Sequence, residues 1–242
     1  MTIAHAWRWC AAAGVAAFLC SWGFGQIPGL VACGPTHGLG PILAFEFVRS
    51  PADVAALFGA DPCRSTFVGG QKYGLLLDAL GFIPAYTAFL ICAAIACSPA
   101  KAGEQAMPSV TIACCLIAGL CDQVEGILLY RILADLPGGQ ALIDALWWPV
   151  HIKFALLAFG MLGIAVMLLA DRRIGGIVAT LPIGLGALTA FTGLIHGPSP
   201  VMMIGFAVGW ITILLCAFAG SWRASLFSAR AGPPPAPAPP TA

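Results

Sequence analysis

Apolar runs separated by short polar segments extend along almost the whole chain. A helix needs about 20 mostly apolar residues to cross the hydrocarbon core of a bilayer. Stretches of that kind, numbered here as spans one to six, cover residues of about 8–30, 74–97, 108–131, 148–170, 174–196 and 200–220. The pattern predicts an all-α, polytopic transmembrane helical bundle of about six spans, built as a single domain over residues 1–230.

The composition agrees with this class of protein. The 242 residues are 60% hydrophobic and 9% charged, whereas a soluble domain is about half apolar and about a quarter charged. A formal net charge of +1 leaves no basic surface to neutralise phosphates, so no nucleic-acid partner is expected. The expected partners are membrane lipids and, in one interpretation below, other membrane subunits.

The end of span one is irregular and allows two interpretations. Gly23 and Pro28 weaken a helix there. Residues 30–33 match the pattern that is cleaved before a lipid-modified cysteine, here Cys33, so the span could be a secretory signal. However, the polar and turn-forming residues 21–29 interrupt the apolar run where a signal peptide should be continuous. A retained helix is therefore the working interpretation.

Residues 33–73 form the only long polar segment, and two of its parts have features of helices. Ser50, followed by proline, is a typical N-cap and helix start, and Gly59 marks the expected end of that helix. Residues 41–48 are apolar except for Glu46. This suits a helix at the membrane interface or folded over the bundle, or else an ordinary packed loop. We expect the segment to form a short helical cap.

Ten cysteines are distributed over the chain. None forms a CxxC pair or a Cys/His spacing suited to zinc, so no metal site is predicted. Most lie in apolar runs, where a cysteine acts as a small hydrophobic residue. Cys33 and Cys63 bracket the long polar segment instead, and a disulfide between them is expected if that segment faces an oxidising compartment.

The basic residues favour one orientation in the membrane. An even number of spans places both termini on one side, and Lys and Arg are commonest in cytoplasmic loops. The side of the termini would carry Arg8, Lys101, Arg172, Arg173, Arg223 and Arg230. The opposite loops carry only Arg49, Arg64 and Lys72. We therefore expect a multi-pass protein of the inner cell membrane with cytoplasmic termini, an extracytoplasmic cap, and a disordered, proline-rich cytoplasmic tail over residues 231–242.

Four charged residues lie within the predicted spans, where a charge that faces lipid is costly. They are Asp78 in span two, Asp122 and Glu125 in span three, and Lys153 in span four. A rise of about 1.5 Å per residue places them about 6 to 13 Å below the extracytoplasmic ends of their spans. Asp122 and Glu125 share a stripe with small residues, which favours packing against other helices. The pattern predicts a polar pocket between spans two, three and four that binds a ligand or protons. Asp122 and Glu125 would be the acidic ligands or proton carriers, Asp78 their partner and Lys153 the counter-charge.

Four further polar residues are expected only as contributors to this pocket. Arg131 lies at the end of span three. His151 lies two positions before Lys153 in span four, so His151 and Lys153 cannot share a helix face. Thr192 and His196 share one side of span five. No cofactor is predicted. Heme or a pigment held by His151 and His196 is an alternative, because the two histidines are expected at similar depth on different helices.

Several functions fit such a cluster, the simplest being a buried charge network that only pins helices together. The functional hypothesis is a pocket that binds or transports a small polar or amphiphilic molecule, with Pro84 and Pro182 supplying the helix irregularities that transporters use. A second interpretation is an accessory subunit of a larger membrane complex, with or without heme. A third is an enzyme that uses Asp122 or Glu125 as acid or base. The third has the least support, because the chain has no HExxH, GxSxG or P-loop motif.

Overall fold

The computed structural model describes residues 3–98 and 106–227, and over these ranges the chain forms helices and turns without strands. Its α-helices are α1 (Ile3–Phe24), α2 (Pro41–Glu46), α3 (Pro51–Phe58), α4 (Cys63–Leu77), α5 (Ile83–Ala96), α6 (Ala106–Ala134), α7 (Gln140–Ala170), α8 (Ile174–His196) and α9 (Pro200–Trp222). A π-helical turn, Asp78–Phe82, joins α4 and α5 into one continuous helix, Cys63–Ala96. In these ranges six helices are long and apolar enough to cross a membrane, which confirms the predicted all-α bundle.

The six long helices form a closed ring. Each packs against the next one along the chain, and α1 closes the ring by packing against both α5 and α9. Consecutive long helices alternate in direction, so the start of α1 and the end of α9 lie at one end of the bundle. The other end carries a cap, residues 33–59, that contains α2 and α3. We call this end the cap side.

Glycines let neighbouring helices approach closely, as in the contact between α8 and α9. A Cβ atom at Gly186 would collide with the carbonyl oxygen of Gly205, and one at Gly205 would collide with the side chain of Thr189. Small residues at such positions favour helix association in membranes, because backbones then make extensive van der Waals contact.

The outer surface of the ring is strongly apolar. Large hydrophobic side chains are exposed on every long helix, among them Leu120, Ile127, Leu181, Ile195 and Leu215. In water such a surface would be unfavourable, whereas hydrocarbon chains accept it. The helix lengths and this surface together identify a multi-pass integral membrane protein.

Several helix ends differ from the predicted span bounds. α4 begins at Cys63, inside the segment expected to be a loop, and α7 begins at Gln140 instead of near residue 148. Hydropathy marks only the part of a helix that matches the bilayer core. The extension of α4 is largely polar, and that of α7 contains Gln140 and Asp144. α1 ends early, at Phe24, and the turns that follow include Gly29 at a φ of 76°. Glycine adopts this backbone conformation without strain.

The cap contains the helix that the sequence predicts after Ser50. The Ser50 hydroxyl accepts a hydrogen bond of 3.2 Å from the Asp53 N–H, and α3 ends at Phe58, one residue before Gly59. Upstream, the apolar segment forms α2 and folds over the bundle, with Phe45 fully buried. Its ring packs edge-on against Phe58 at a centroid distance of 5.0 Å.

Covalent and polar contacts hold the cap on the bundle. A disulfide joins Cys33 to Cys63 at the start of α4, with a Cα–Cα distance of 6.0 Å. The Cys33 N–H donates to the Leu57 carbonyl at 3.1 Å, and the buried Gln71 side chain donates to the Pro41 carbonyl at 3.0 Å. The sulfur of Cys33 is engaged in this disulfide, and α1 packs within the ring against α5 and α9.

The orientation in the membrane, the inner-membrane location and the cytoplasmic termini stay predictions. Lys101 and Arg230, which enter the charge comparison, lie outside the described residues. The proline-rich tail over residues 231–242 also lies outside them.

The disulfide predicts a specific pattern of thiol labelling. The chain has ten cysteines, and Cys33 and Cys63 are paired, so alkylation of the denatured, unreduced protein should modify eight of them. Alkylation after reduction should modify ten. Intact-mass spectrometry measures both values, and Cys33→Ser and Cys63→Ser should each abolish the difference. Cys114→Ser, at a free cysteine, is the control and should preserve a difference of two. Equal labelling of the wild-type protein with and without reductant would contradict the pairing.

Candidate functional site

The Lys153 side chain lies at the centre of a buried charge network. Its Nζ is 2.8 Å from Asp122 Oδ1, 2.9 Å from Glu46 Oε2 and 2.9 Å from Glu125 Oε1. The four side chains are at most 6% exposed. An ammonium group has three N–H donors and no acceptor. Each carboxylate therefore receives one of these donors, and the ammonium has none left for a further partner.

Helix geometry accounts for two of the three carboxylates. Asp122 and Glu125 lie one turn apart on α6, on the buried face that also holds Cys115, Ala118 and Gly119. On α7, Lys153 is directed into the bundle. The structure thus brings together the acidic pair and the lysine that the sequence analysis selected.

Glu46 is a site residue that the sequence analysis missed. It is the last residue of α2 and reaches Lys153 from the cap, across a sequence separation of 107 residues. In the sequence, the one feature that could have indicated this role is that Glu46 is the single charged residue of the apolar segment 41–48. Its contact ties the cap to α7 inside the bundle.

Tyr86 is a second residue that the sequence analysis did not identify. Its hydroxyl donates a hydrogen bond of 2.7 Å to Asp122 Oδ2, and the residue is 1% exposed. Both oxygens of Asp122 are therefore engaged, one by Tyr86 and one by Lys153. The bond joins α5 to α6 at the level of the network.

Asp78 lies at the first position of the π-helical turn. Pro84 has no N–H, and its ring would clash with the carbonyl four residues earlier in a regular helix, so a widened turn at this point relieves the conflict. In that turn the Ile83 N–H donates to the Asp78 carbonyl instead of to Ala79. The Ala79 carbonyl accepts a hydrogen bond of 2.8 Å from Gln123 of α6. Gln123 thereby stabilises the turn that carries Asp78.

The Asp78 carboxylate is not part of the hydrogen-bonded network. It is close enough to Asp122 and Lys153 to interact with them electrostatically. Within residues 3–98 and 106–227, however, its side chain has no hydrogen-bond donor, although the residue is only 9% exposed. Of the four charged residues predicted to come together, Asp122, Glu125 and Lys153 are in direct contact. Glu46, and not Asp78, is the third carboxylate that bonds to Lys153.

A cavity of about 390 Å³ opens beside the network on the cap side. Its polar end is formed by Glu46, Asp78, Asp122 and Lys153. Much of the remaining wall is aromatic: Phe18, Phe24, Phe82, Tyr86, Phe154, Phe206 and Trp210. These residues come from α1, the cap, the π-helical turn and helices α5, α6, α7 and α9. The cavity is thus amphiphilic, with carboxylates at one end and rings along its sides.

The other predicted contributors do not line this cavity. Arg131, Thr192 and His196 are exposed, and the Thr192 hydroxyl donates to the Thr189 carbonyl of its own helix. His151 is half-buried, and its ring stacks on Trp147 with a centroid distance of 4.0 Å.

Heme bound by His151 and His196 stays an untested prediction. His151 Nδ1 lies 2.7 Å from the carbonyl oxygen of Trp147, so one of its two ring nitrogens is engaged. The described part of the chain contains no group of three or more His, Cys, Asp or Glu residues arranged to hold a metal ion.

No protein-family model, no curated protein and no solved structure matches this chain.

Removing the ammonium should destabilise the protein strongly. Lys153→Met leaves three buried carboxylates facing one another, and loss of one partner from a buried ionic network costs about 3–5 kcal/mol. Thermal unfolding of the detergent-solubilised protein should show a large decrease in midpoint. Lys72→Met, at an exposed lysine of α4, is the control and should change little. Adding Asp122→Asn and Glu125→Gln to Lys153→Met should restore part of the stability. A Lys153→Met protein as stable as the control would refute this account of the network.

Loss of the Gln123 side chain should loosen the π-helical turn. Gln123→Leu leaves the part-buried Ala79 carbonyl without its donor, which costs about 1 kcal/mol, the lower end of the range for a fully buried acceptor. Hydrogen–deuterium exchange should become faster at residues 78–83. Gln26→Leu removes an exposed glutamine and should leave this exchange unchanged. Unchanged protection in Gln123→Leu would mean that α6 does not stabilise the turn.

Proposed function

We propose that this integral membrane protein binds or transports a small amphiphilic molecule in its cap-side cavity. The observation that carries the proposal is the cavity itself, which has a carboxylate-rich end and an aromatic wall within one partly open space. Its volume of about 390 Å³ lies within the range of about 300–1,000 Å³ that is usual for small-molecule sites.

The polarity of the cavity supports a ligand with two unlike ends. The polar group would lie near Asp78, whose carboxylate is free to accept hydrogen bonds. The apolar part would lie along rings such as Phe206 and Trp210. A purely polar solute would leave the aromatic wall unsolvated, and a purely apolar one would leave the Asp78 charge without a partner.

The charge network holds the polar end of the cavity in a fixed arrangement. Lys153 uses all three of its donors on Glu46, Asp122 and Glu125, so these groups hold their positions whether or not a ligand is bound. Asp78 is the carboxylate left for a ligand. This division assigns the network a structural role and Asp78 a binding role.

The positions of the exposed wall residues support an entrance to the cavity beside α1 and α9. The wall residues Ser21, Gly25, Gly40 and Ala207 are exposed, whereas those on α5, α6 and α7 are buried or half-buried. Access at this point would admit a molecule from the cap side of the bilayer. If the charge distribution has set the orientation as expected, that side is extracytoplasmic.

A bulky side chain at the cavity wall should remove the ligand. Ala207→Trp places an indole where the wall is exposed, whereas Val208→Trp places it on the outer face of the same helix, away from the cavity. Each protein is purified in a mild non-ionic detergent, and native and denaturing mass spectrometry identify what copurifies.

We expect a stoichiometric amphiphile on the wild type and on Val208→Trp, and its loss on Ala207→Trp. An unchanged level on Ala207→Trp, or the absence of any small molecule from the wild type, would contradict the proposal. Copurification of other membrane subunits in place of a small molecule would favour the accessory role.

A further inference from the structure

We infer that the molecule bound in the cavity is a hydrophobic cation, an amine or quaternary ammonium compound, whose charged group lies between Asp78 and the rings of Phe82, Tyr86 and Trp210. This inference rests on the proposed binding function and adds the chemical class of the ligand. Four observations carry it: the charge of the site, the free carboxylate, the occupied lysine and the aromatic wall.

The site contains four acidic side chains and one basic side chain. Glu46, Asp78, Asp122 and Glu125 carry four negative charges when ionised, and Lys153 carries one positive charge, which leaves a net charge of −3. Buried charges in a membrane protein require partners. Among the residues that line the cavity and are described by the structure, Lys153 is the only cation. A cationic ligand would supply part of the missing positive charge.

Asp78 is the specific group that a cation would meet. It is 9% exposed, it lines the cavity, and no donor within the described ranges bonds to its side chain. A buried carboxylate without a donor is unfavourable by itself. A positively charged group beside it would compensate for the water that it has lost.

An anionic ligand does not fit the same space. Its charge would face Glu46, Asp78 and Asp122. Lys153 is the one positively charged residue among the described residues of the wall, and all three of its N–H donors already bond to carboxylates. Like charges in a desolvated site repel strongly. The sign of the ligand charge therefore follows from which groups are already paired.

The aromatic wall provides the second type of contact that such a cation needs. The Tyr86 ring lies 5.3 Å from that of Phe82 and 5.4 Å from that of Trp210, so the three rings form one continuous patch of the wall. Ring faces attract cations through their quadrupole, and tryptophan does so most strongly. The same wall already holds one cation, since Lys153 Nζ lies 4.8 Å from the Phe154 centroid.

The test compares a cation with its uncharged isostere. Phenyltrimethylammonium and tert-butylbenzene have the same shape and differ in the charge on one atom. Isothermal titration calorimetry measures their binding to the full-length protein in a non-ionic detergent, with Asp78→Asn, Asp78→Glu and Asp135→Asn as variants. Asp135 is an exposed carboxylate between α6 and α7, and its substitution controls for a general change in charge.

We expect phenyltrimethylammonium to bind the wild type at least about tenfold more tightly than tert-butylbenzene. Asp78→Asn should weaken its binding by about tenfold or more, whereas Asp78→Glu and Asp135→Asn should retain most of it. The binding of tert-butylbenzene should not depend on residue 78. If Asp78→Asn does not fold, the ratio of the two wild-type affinities still decides the question.

Equal affinities for the two compounds, or binding of phenyltrimethylammonium that is insensitive to Asp78→Asn in a folded protein, would overturn the cationic class. If both compounds bind equally and Ala207→Trp abolishes both, the cavity is a binding site for neutral molecules and the proposed function stands. If neither compound binds, the cationic class is overturned, and the copurification experiment decides the proposed function separately.

Discussion

The rest of the site depends on the contact between the Lys153 ammonium and the carboxylates of Glu46, Asp122 and Glu125. Charges inside a membrane protein are stable only when they are matched, and this contact matches one cation with acids from the cap and from α6. It therefore positions the cap and two helices together. Because an ammonium has only three donors, Asp78 remains outside the contact, and the cavity keeps a carboxylate that accepts no hydrogen bond from any side chain in the described ranges.

The position of Asp78 follows from a local feature of the backbone. Pro84 cannot continue a regular helix without a lost hydrogen bond, and the chain widens into a π-helical turn just before it. Gln123 bonds to the carbonyl that this turn releases, which fixes the turn against α6. A proline, an amide and a buried carboxylate thus act together to present one acidic group to an aromatic cavity. Widened turns of this kind are frequent at functional sites in helices.

Much of the helical framework could be predicted because helix geometry is local. Span lengths follow from hydropathy, and the spacing of Asp122 and Glu125 with the depth of Lys153 brings these three together. The helix ends could not be predicted in the same way. Backbone hydrogen bonds continue a helix beyond its apolar part, and hydropathy does not show where they stop. Glu46 could not be identified from the sequence, because its contact with Lys153, 107 residues later in the chain, depends on how the cap folds over α7. Tyr86 could not be identified either, because its depth in the membrane and its position along the helix do not show that its hydroxyl reaches Asp122 on another helix.

The most direct test of this arrangement is the nuclear magnetic resonance signal of the Lys153 ammonium in protein labelled with ζ-¹⁵N lysine. A group with three buried hydrogen bonds should exchange its protons slowly with water. Its signal should move on Glu46→Gln, Asp122→Asn or Glu125→Gln, and least on Asp78→Asn. Fast exchange at Lys153, or a response to Asp78→Asn as large as to the other three, would contradict the division between a structural network and a free carboxylate.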